Sequence, residues 1–179
     1  MPGLMTAEEL FEWVNGKRGE LVRGEFIEMS PTDGTHGRLT NRISVVVGGF
    51  IINQDLGEAF GAETGFILSR DPDTVRAPDF AFIAKERLSQ IGEFDRYLPI
   101  PPDLAVEVIS PNDRWVDVEA KVYDYLRAGV RMVWLFDPTT QTVHVYEGFS
   151  RVKVLTTEDE LDGGEVVPGF RMPVREFFK

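Results

Sequence analysis

The 179-residue sequence contains no cysteine and only two histidines, His36 and His144. Without cysteine the protein can form no disulfide bond, no thiolate zinc site and no cysteine nucleophile. Two histidines are also too few for a three-histidine metal site. These absences exclude several common classes of catalytic and metal-binding protein.

The sequence also lacks a long hydrophobic segment. Its longest apolar stretches, such as residues 43–52, are interrupted and too short to span a bilayer. The amino terminus has neither the basic segment nor the apolar run of a signal peptide. We therefore expect no membrane association and a cytoplasmic location.

Basic residues are scarce relative to acidic ones. The chain has 19 Lys and Arg against 30 Asp and Glu, which gives a net charge of −11. Proteins that bind nucleic acids usually carry a basic surface, because phosphate contacts dominate their affinity. Composition alone therefore argues against a nucleic-acid partner, unless a basic surface is local or is completed by oligomerisation or metal ions.

The order of apolar patterns predicts a single α/β domain over residues 1–179, with a mixed β-sheet flanked by helices and preceded by an N-terminal helix and β-hairpin. In the hairpin we expect Leu21, Phe26 and Ile27 to point inward. The strand–helix–strand unit over 104–136 predicts a parallel pair of strands. The predicted elements are a helix at 6–14, a hairpin at 19–29, a helix at 35–55, strands within 57–68, a strand at 79–83, a strand at 104–109, a helix at 113–128, a strand at 132–136 and a meander over 143–155.

Glu107 is the most informative polar residue, because it lies in the otherwise apolar strand Leu104–Ile109. A charged side chain is costly there unless it is paired or binds a metal. Strand alternation places Ala105, Glu107 and Ile109 on one face. The simpler alternative is that Glu107 forms an ion pair at the end of the strand.

Two further residues could act with Glu107. Asp79 follows Pro78 at the start of a predicted strand, although an aspartate there is also a common turn former. Lys121 lies at the edge of the apolar face of the helix that follows Glu107, so its amine could reach a polar site or simply be solvated. The other acidic residues of that helix are assigned to its solvated face, namely Asp117, Glu119 and Asp124.

Together, these three residues suggest a metal site. Two carboxylates at neighbouring strand ends can hold Mg²⁺ or Mn²⁺, which prefer oxygen ligands. A nearby ammonium could orient a water and stabilise charge on an attacked phosphate. A lysine two residues after Glu107 would share its strand face, but that position is Ile109. Lys121 is the nearest alternative in the sequence.

Several motifs occur in order along the chain: Gly19–Pro31 with His36, Pro78-Asp79, Pro102–Pro111, Lys121 with Tyr125, Gly129-Val130, Trp134 with Asp137-Pro138, and Pro168–Pro173. Together they resemble the Uma-two family of bacterial proteins, described as restriction endonucleases in the PD-(D/E)XK nuclease superfamily. The resemblance implies a nuclease-like core in which Asp79 and Glu107 are metal ligands and the catalytic lysine has moved to the helix, at Lys121.

Glu20 and His36 match a glutamate and a histidine of the same family. Glu20 could reach the metal through water, or be an exposed hairpin residue. His36 could contact phosphate or relay a proton, or cap or pack the start of its helix.

The resulting hypothesis is a Mg²⁺- or Mn²⁺-dependent nuclease that hydrolyses phosphodiester bonds, with DNA as the expected substrate. The alternatives are a catalytically inactive nuclease-fold module for binding or assembly, and a hydrolase of small phosphate compounds. A homodimer is also predicted, with Trp13 and Phe149 as candidate interface residues.

Overall fold

The computed structural model describes residues 4–13 and 17–179 and confirms the predicted α/β class. A π-helical turn at Ser44–Gly48 joins the second and third α-helices, and a 3-10 helix covers Lys85–Gln90. The strands are β1 (Gly19–Val22), β2 (Glu25–Glu28), β3 (Gly57–Gly61), β4 (Phe66–Ser69), β5 (Thr74–Arg76), β6 (Phe80–Ala84), β7 (Leu104–Val108), β8 (Met132–Asp137), β9 (Thr142–Tyr146), β10 (Val152–Leu155), β11 (Glu160–Asp162) and β12 (Arg171–Pro173). The α-helices are α1 (Ala7–Trp13), α2 (Gly34–Ile43), α3 (Gly49–Asn53), α4 (Trp115–Arg127) and α5 (Arg175–Phe178).

Six strands form the main sheet, in the order β10-β9-β8-β7-β6-β3. β7 and β8 are parallel and are connected by α4, as predicted, whereas the other neighbouring pairs are antiparallel. Because β6 and β7 run in opposite directions, the end of β7 lies beside the start of β6. This arrangement brings Glu107 and Asp79 to the same edge of the sheet.

The side chains of β7 alternate between two helical layers. Leu104, Val106 and Val108 belong to the large core formed with α2 and α3. Ala105 packs in a second core with residues of α4. Glu107 contacts α4 as well, so the predicted alternation of this strand is confirmed.

The helix predicted over residues 35–55 corresponds to α2, the π-helical turn and α3. It begins after Asp33, whose carboxylate accepts the backbone N–H groups of Thr35 and His36. This cap holds His36 in the first turn, where it is buried. The segment is buried along one face through Leu39, Ile43, Val47 and Ile51. Neither this segment nor any other helix within 4–13 and 17–179 is long and apolar enough to cross a membrane.

The N-terminal hairpin belongs to a second sheet with the order β2-β1-β5-β4. Leu21 is fully buried and Phe26 is half-buried, but Ile27 is 46% exposed. The prediction that Phe26 and Ile27 both point inward is therefore wrong for Ile27. Adjacent strand residues point to opposite faces, so the two cannot both face one core.

Some elements of the structure were not expected from the sequence. β5, β11 and β12 have three residues each, and the 3-10 helix follows β6 directly. Three residues are too few to display a strand period. β5 is the most important of these elements for the site, because it carries Arg76.

Candidate active site

Asp79 lies immediately before β6 and is fixed by two contacts. Its Oδ2 atom accepts the backbone N–H of Val108, at the end of β7, over 2.8 Å. The same oxygen lies 3.2 Å from Nε2 of His36, in the first turn of α2. Burial alone lowers the pKa of His36, but the nearby carboxylates of Asp79 and Glu107 raise it overall. His36 is thus oriented toward Asp79, whose charge raises the pKa of the imidazole.

Glu107 is a buried carboxylate with two partners on α4. Its Oε1 atom accepts the hydroxyl proton of Tyr125 over 2.6 Å, and its Oε2 atom lies 3.4 Å from Nζ of Lys121. The pKa of Glu107 is raised to about 7: burial is the largest cause, the charges of Asp79 and Glu20 raise it as well, and the Lys121 charge lowers it. Burial, the main cause of the raised pKa, and the neighbouring negative charges together outweigh the Lys121 charge.

Lys121 reaches the site because it lies one helical turn before Tyr125, on the same face of α4. Its Nζ atom lies 3.4 Å from Glu107 and 3.5 Å from Oε2 of Glu20. Burial lowers the pKa of Lys121, but the charges of Glu107 and Glu20 raise it by more. The amine is therefore a charged ammonium between two carboxylates.

Glu20, in β1, is 2% exposed rather than an exposed hairpin residue. Its Oε2 atom accepts a hydrogen bond from Nη1 of Arg76 over 2.8 Å, and its Oε1 atom accepts the backbone N–H of Ala77 over 3.0 Å. Arg76 also donates through Nε and Nη2 to Asp124 on α4. The Asp124 side chain is 18% exposed and is held in an ion pair with Arg76, so its assignment to the solvated face of the helix is wrong.

Sequence reasoning did not identify Arg76 or Asp124 as part of the site. The one available signal was an arginine between Val75 and Ala77, in a segment too short to be predicted as a strand. Asp124 lies at a helix position that periodicity assigns to solvent, and only its contact with β5 shows otherwise.

The five residues predicted from the sequence line one cleft of about 1500 Å³. Glu20, His36, Asp79, Glu107 and Lys121 come from β1, α2, the start of β6, β7 and α4, respectively. The cleft is acidic overall, with ten carboxylate and five Lys or Arg side chains in its lining. Such an excess of negative charge favours cations.

The donor set fits a hard divalent cation. Among the described residues, no group of three or more His, Cys, Asp and Glu side chains could hold a metal ion. Mg²⁺ is commonly held by one or two carboxylates, with water and substrate phosphates completing its octahedron. Asp79 and Glu107 offer two carboxylates that line the same cleft, at neighbouring ends of the paired strands β6 and β7. Zinc, which usually takes three or four protein ligands, fits less well.

The fold is of the restriction-endonuclease-like class. One solved structure with this fold is a "putative nuclease belonging to DUF820" from Anabaena variabilis ATCC 29413, with a TM-score of 0.81 and 21% identity over 97% of each chain. The sequence matches the Uma2 family, described as "Putative restriction endonuclease", over residues 7–175. The chain belongs to the Uma2 family, which confirms the predicted resemblance. No curated protein matches the sequence.

Proposed function

We propose that the protein is a Mg²⁺- or Mn²⁺-dependent nuclease that hydrolyses phosphodiester bonds, with DNA as its expected substrate. The family and the fold support a nuclease. The observation that carries the proposal is the environment of Glu107, a buried carboxylate that shares one cleft with Asp79 and has the Lys121 ammonium 3.4 Å away.

Each residue has a defined task in this proposal. Asp79 and Glu107 would hold the cation, while His36 and Tyr125 orient these carboxylates through their hydrogen bonds. The bound ion would lower the pKa of a water and neutralise phosphate charge. Lys121 would donate to the attacked phosphate and stabilise the charge that develops on its oxygens.

The charge of the cleft limits how a nucleic acid can bind. Lys17, Arg18, Arg76 and Lys121 all form ion pairs with carboxylates, whereas Arg23 forms none within the described part of the chain. Phosphate contacts would therefore depend mainly on the bound cation and on Arg23. We expect binding of an oligonucleotide to require the divalent ion and to weaken with added salt.

The proposal is tested by incubating purified protein with plasmid DNA, RNA and a small phosphodiester in the presence of Mg²⁺ or Mn²⁺. We expect Asp79→Asn and Glu107→Gln to reduce cleavage about 1000-fold, or about 4 kcal/mol of transition-state stabilisation. The matched control is Glu119→Gln, on the exposed face of α4 and outside the cleft, which should leave cleavage unchanged. Equal loss in all three variants would contradict the assignment.

A second candidate function is a non-catalytic module that keeps the nuclease fold for binding or assembly. The net charge of −11 and the acidic cleft favour it over a DNA-cleaving enzyme. Calorimetric titration with Mn²⁺ separates the two. Binding that is lost in Asp79→Asn and Glu107→Gln supports the nuclease, whereas absence of both metal binding and cleavage supports the module.

Assembly as a homodimer also remains a prediction. Trp13 is 44% exposed and packs edge-on against Phe26, and Phe149 is 58% exposed and stacks on Tyr123. Both aromatic groups could contribute to an interface. Sedimentation showing only monomer at high concentration would contradict the prediction.

A further inference from the structure

We propose that Arg76 is a positioning residue that neutralises Glu20 and so keeps the Lys121 ammonium on Glu107. The proposal rests on the nuclease function proposed above, because it assigns a task to residues around the same lysine. It also gives Glu20 a positioning role in place of contact with the metal.

Glu20 is held too tightly to move toward a metal. One of its oxygens accepts the backbone N–H of Ala77, which cannot rotate away, over 3.0 Å. The other is shared between Nη1 of Arg76 at 2.8 Å and Nζ of Lys121 at 3.5 Å. With its side chain 2% exposed, Glu20 depends on these partners for the compensation of its charge.

Arg76 is itself fixed from the opposite side. Its Nε and Nη2 atoms both donate to Asp124, so the guanidinium joins β1 and α4 through one planar group. Asp124 lies three residues after Lys121 on α4, within one turn of the helix. The contact therefore fixes the part of α4 from which Lys121 extends.

Lys121 has two carboxylate partners at nearly equal distances, 3.4 Å to Glu107 and 3.5 Å to Glu20. Arg76 determines which of the two carboxylates Lys121 pairs with, because the Arg76 guanidinium already compensates the charge of Glu20. Without Arg76, Lys121 would be the one cation left beside Glu20 among residues 4–13 and 17–179, and the attraction in a medium of low dielectric would draw it toward that buried carboxylate. The ammonium would then leave the place where a phosphate is attacked.

The central experiment compares Arg76→Gln with the double variant Arg76→Gln/Glu20→Gln. We expect Arg76→Gln to lower kcat about 10- to 100-fold with little change in KM or in Mn²⁺ affinity. Removing the competing carboxylate as well should return kcat to within a few-fold of wild type. A double variant no more active than the single one would overturn the proposal.

Arg70→Gln is the matched control. Arg70 also joins two carboxylates, those of Glu8 and Asp73, but it does not line the cleft. It should leave kcat unchanged. Arg76→Lys provides a conservative variant, since a lysine keeps the positive charge but lacks the planar group that donates to Glu20 and Asp124 at once. Activity of Arg76→Lys above that of Arg76→Gln supports the electrostatic role, and equal loss in both contradicts it.

A measurement independent of activity separates this proposal from the nuclease function. The ¹H–¹⁵N signal of the Lys121 ammonium can be assigned by its loss in Lys121→Arg and followed in each variant. We expect the signal to shift in Arg76→Gln and to return toward the wild-type position in the double variant. No shift in Arg76→Gln overturns the positioning role, even if the wild-type protein cleaves no substrate.

Discussion

Asp79 and Asp103 occupy matching positions at opposite ends of the β6–β7 pair. Each follows a proline, at Pro78 and Pro102, and each immediately precedes a strand. Each also accepts a backbone N–H from the last residue of the other strand, over 2.8 Å for Asp79 and 2.9 Å for Asp103. Local sequence and backbone role are therefore the same at both ends.

The two carboxylates differ in what surrounds them. Asp103 is 1% exposed and lies between two guanidinium groups, with Arg87 at 3.0 Å and Arg131 at 3.7 Å. The side chain of Asp79 is 17% exposed, faces His36 and shares its cleft with Glu107. One carboxylate is compensated by fixed positive charge, and the other is next to a second negative charge.

This difference explains why one end of the pair is a structural contact and the other a candidate metal site. A carboxylate between two arginines has little remaining attraction for a cation, whereas two neighbouring carboxylates repel each other until a cation binds. An acidic residue that the sequence places in a buried position thus indicates a positively charged partner, but not whether that partner is a side chain or a metal ion. The partner comes from distant segments, here the 3-10 helix for Asp103 and α2 for Asp79.

The largest effect on stability is expected at Asp103. Asp103→Ala should lower the free energy of unfolding by about 3 kcal/mol, because it removes a buried charged acceptor and leaves two arginines uncompensated. Asp79→Ala should cost only about 1 kcal/mol, since Asp79 is partly exposed and its loss relieves repulsion with Glu107. Urea denaturation at neutral pH measures both.

Nuclease activity should reverse that order. Cleavage per folded molecule should stay at the wild-type level in Asp103→Ala and be lost in Asp79→Ala. If the two variants were equally destabilised and equally inactive, the distinction between the two ends of the strand pair would be wrong.

A change of pH should have a smaller effect on the free energy of unfolding. Burial raises the pKa of Glu107 from 4.5 to about 7, so the folded protein holds this proton more tightly than the unfolded chain does. The resulting stabilisation is complete below pH 4.5 and is lost as the pH rises through 7. Between pH 6 and pH 8, in EDTA, it should fall by about 1 kcal/mol.

The Glu107→Gln variant has no titrating group at this position. Its free energy of unfolding should therefore lack that part of the pH dependence. Urea titrations of both proteins at a series of pH values give the difference directly. Parallel curves for the variant and the wild type would show that Glu107 titrates normally, as a well-compensated acid would.

Much of the fold could be predicted from the sequence because its largest elements show clear periodicity. The helix through Leu39 and Ile43 and the buried strands around Val106 and Trp134 were predicted with nearly correct bounds. β5, β11 and β12 could not be predicted, because a three-residue strand is defined by its pairing partner rather than by its own pattern. The wrong orientation of Ile27 came from assigning two adjacent residues to one face.

The site could be predicted only in part. Glu107 was recognisable as a charge in an apolar strand. Asp79 and Lys121 were candidates from their positions in the sequence, and the family resemblance supported them. Arg76 and Asp124 were missed because their ion pair joins β5 to α4, and no local pattern relates two segments so far apart. The difference between the surroundings of Asp79 and Asp103 could not be predicted for the same reason.

The smallest effect on the free energy of unfolding is expected from a substitution of Arg131. This substitution tests how much positive charge is needed to compensate Asp103. Arg131 is 45% exposed and 3.7 Å from the carboxylate, whereas Arg87 is 25% exposed and 3.0 Å away. Because exposed ion pairs contribute little, Arg131→Gln should cost about 0.5 kcal/mol in urea denaturation, and Arg87→Gln should cost more. If Arg131→Gln lowered the free energy of unfolding as much as Asp103→Ala does, Asp103 would require both arginines. A single cation, such as Lys121 beside Glu107, would then be too little to compensate a buried carboxylate in this fold.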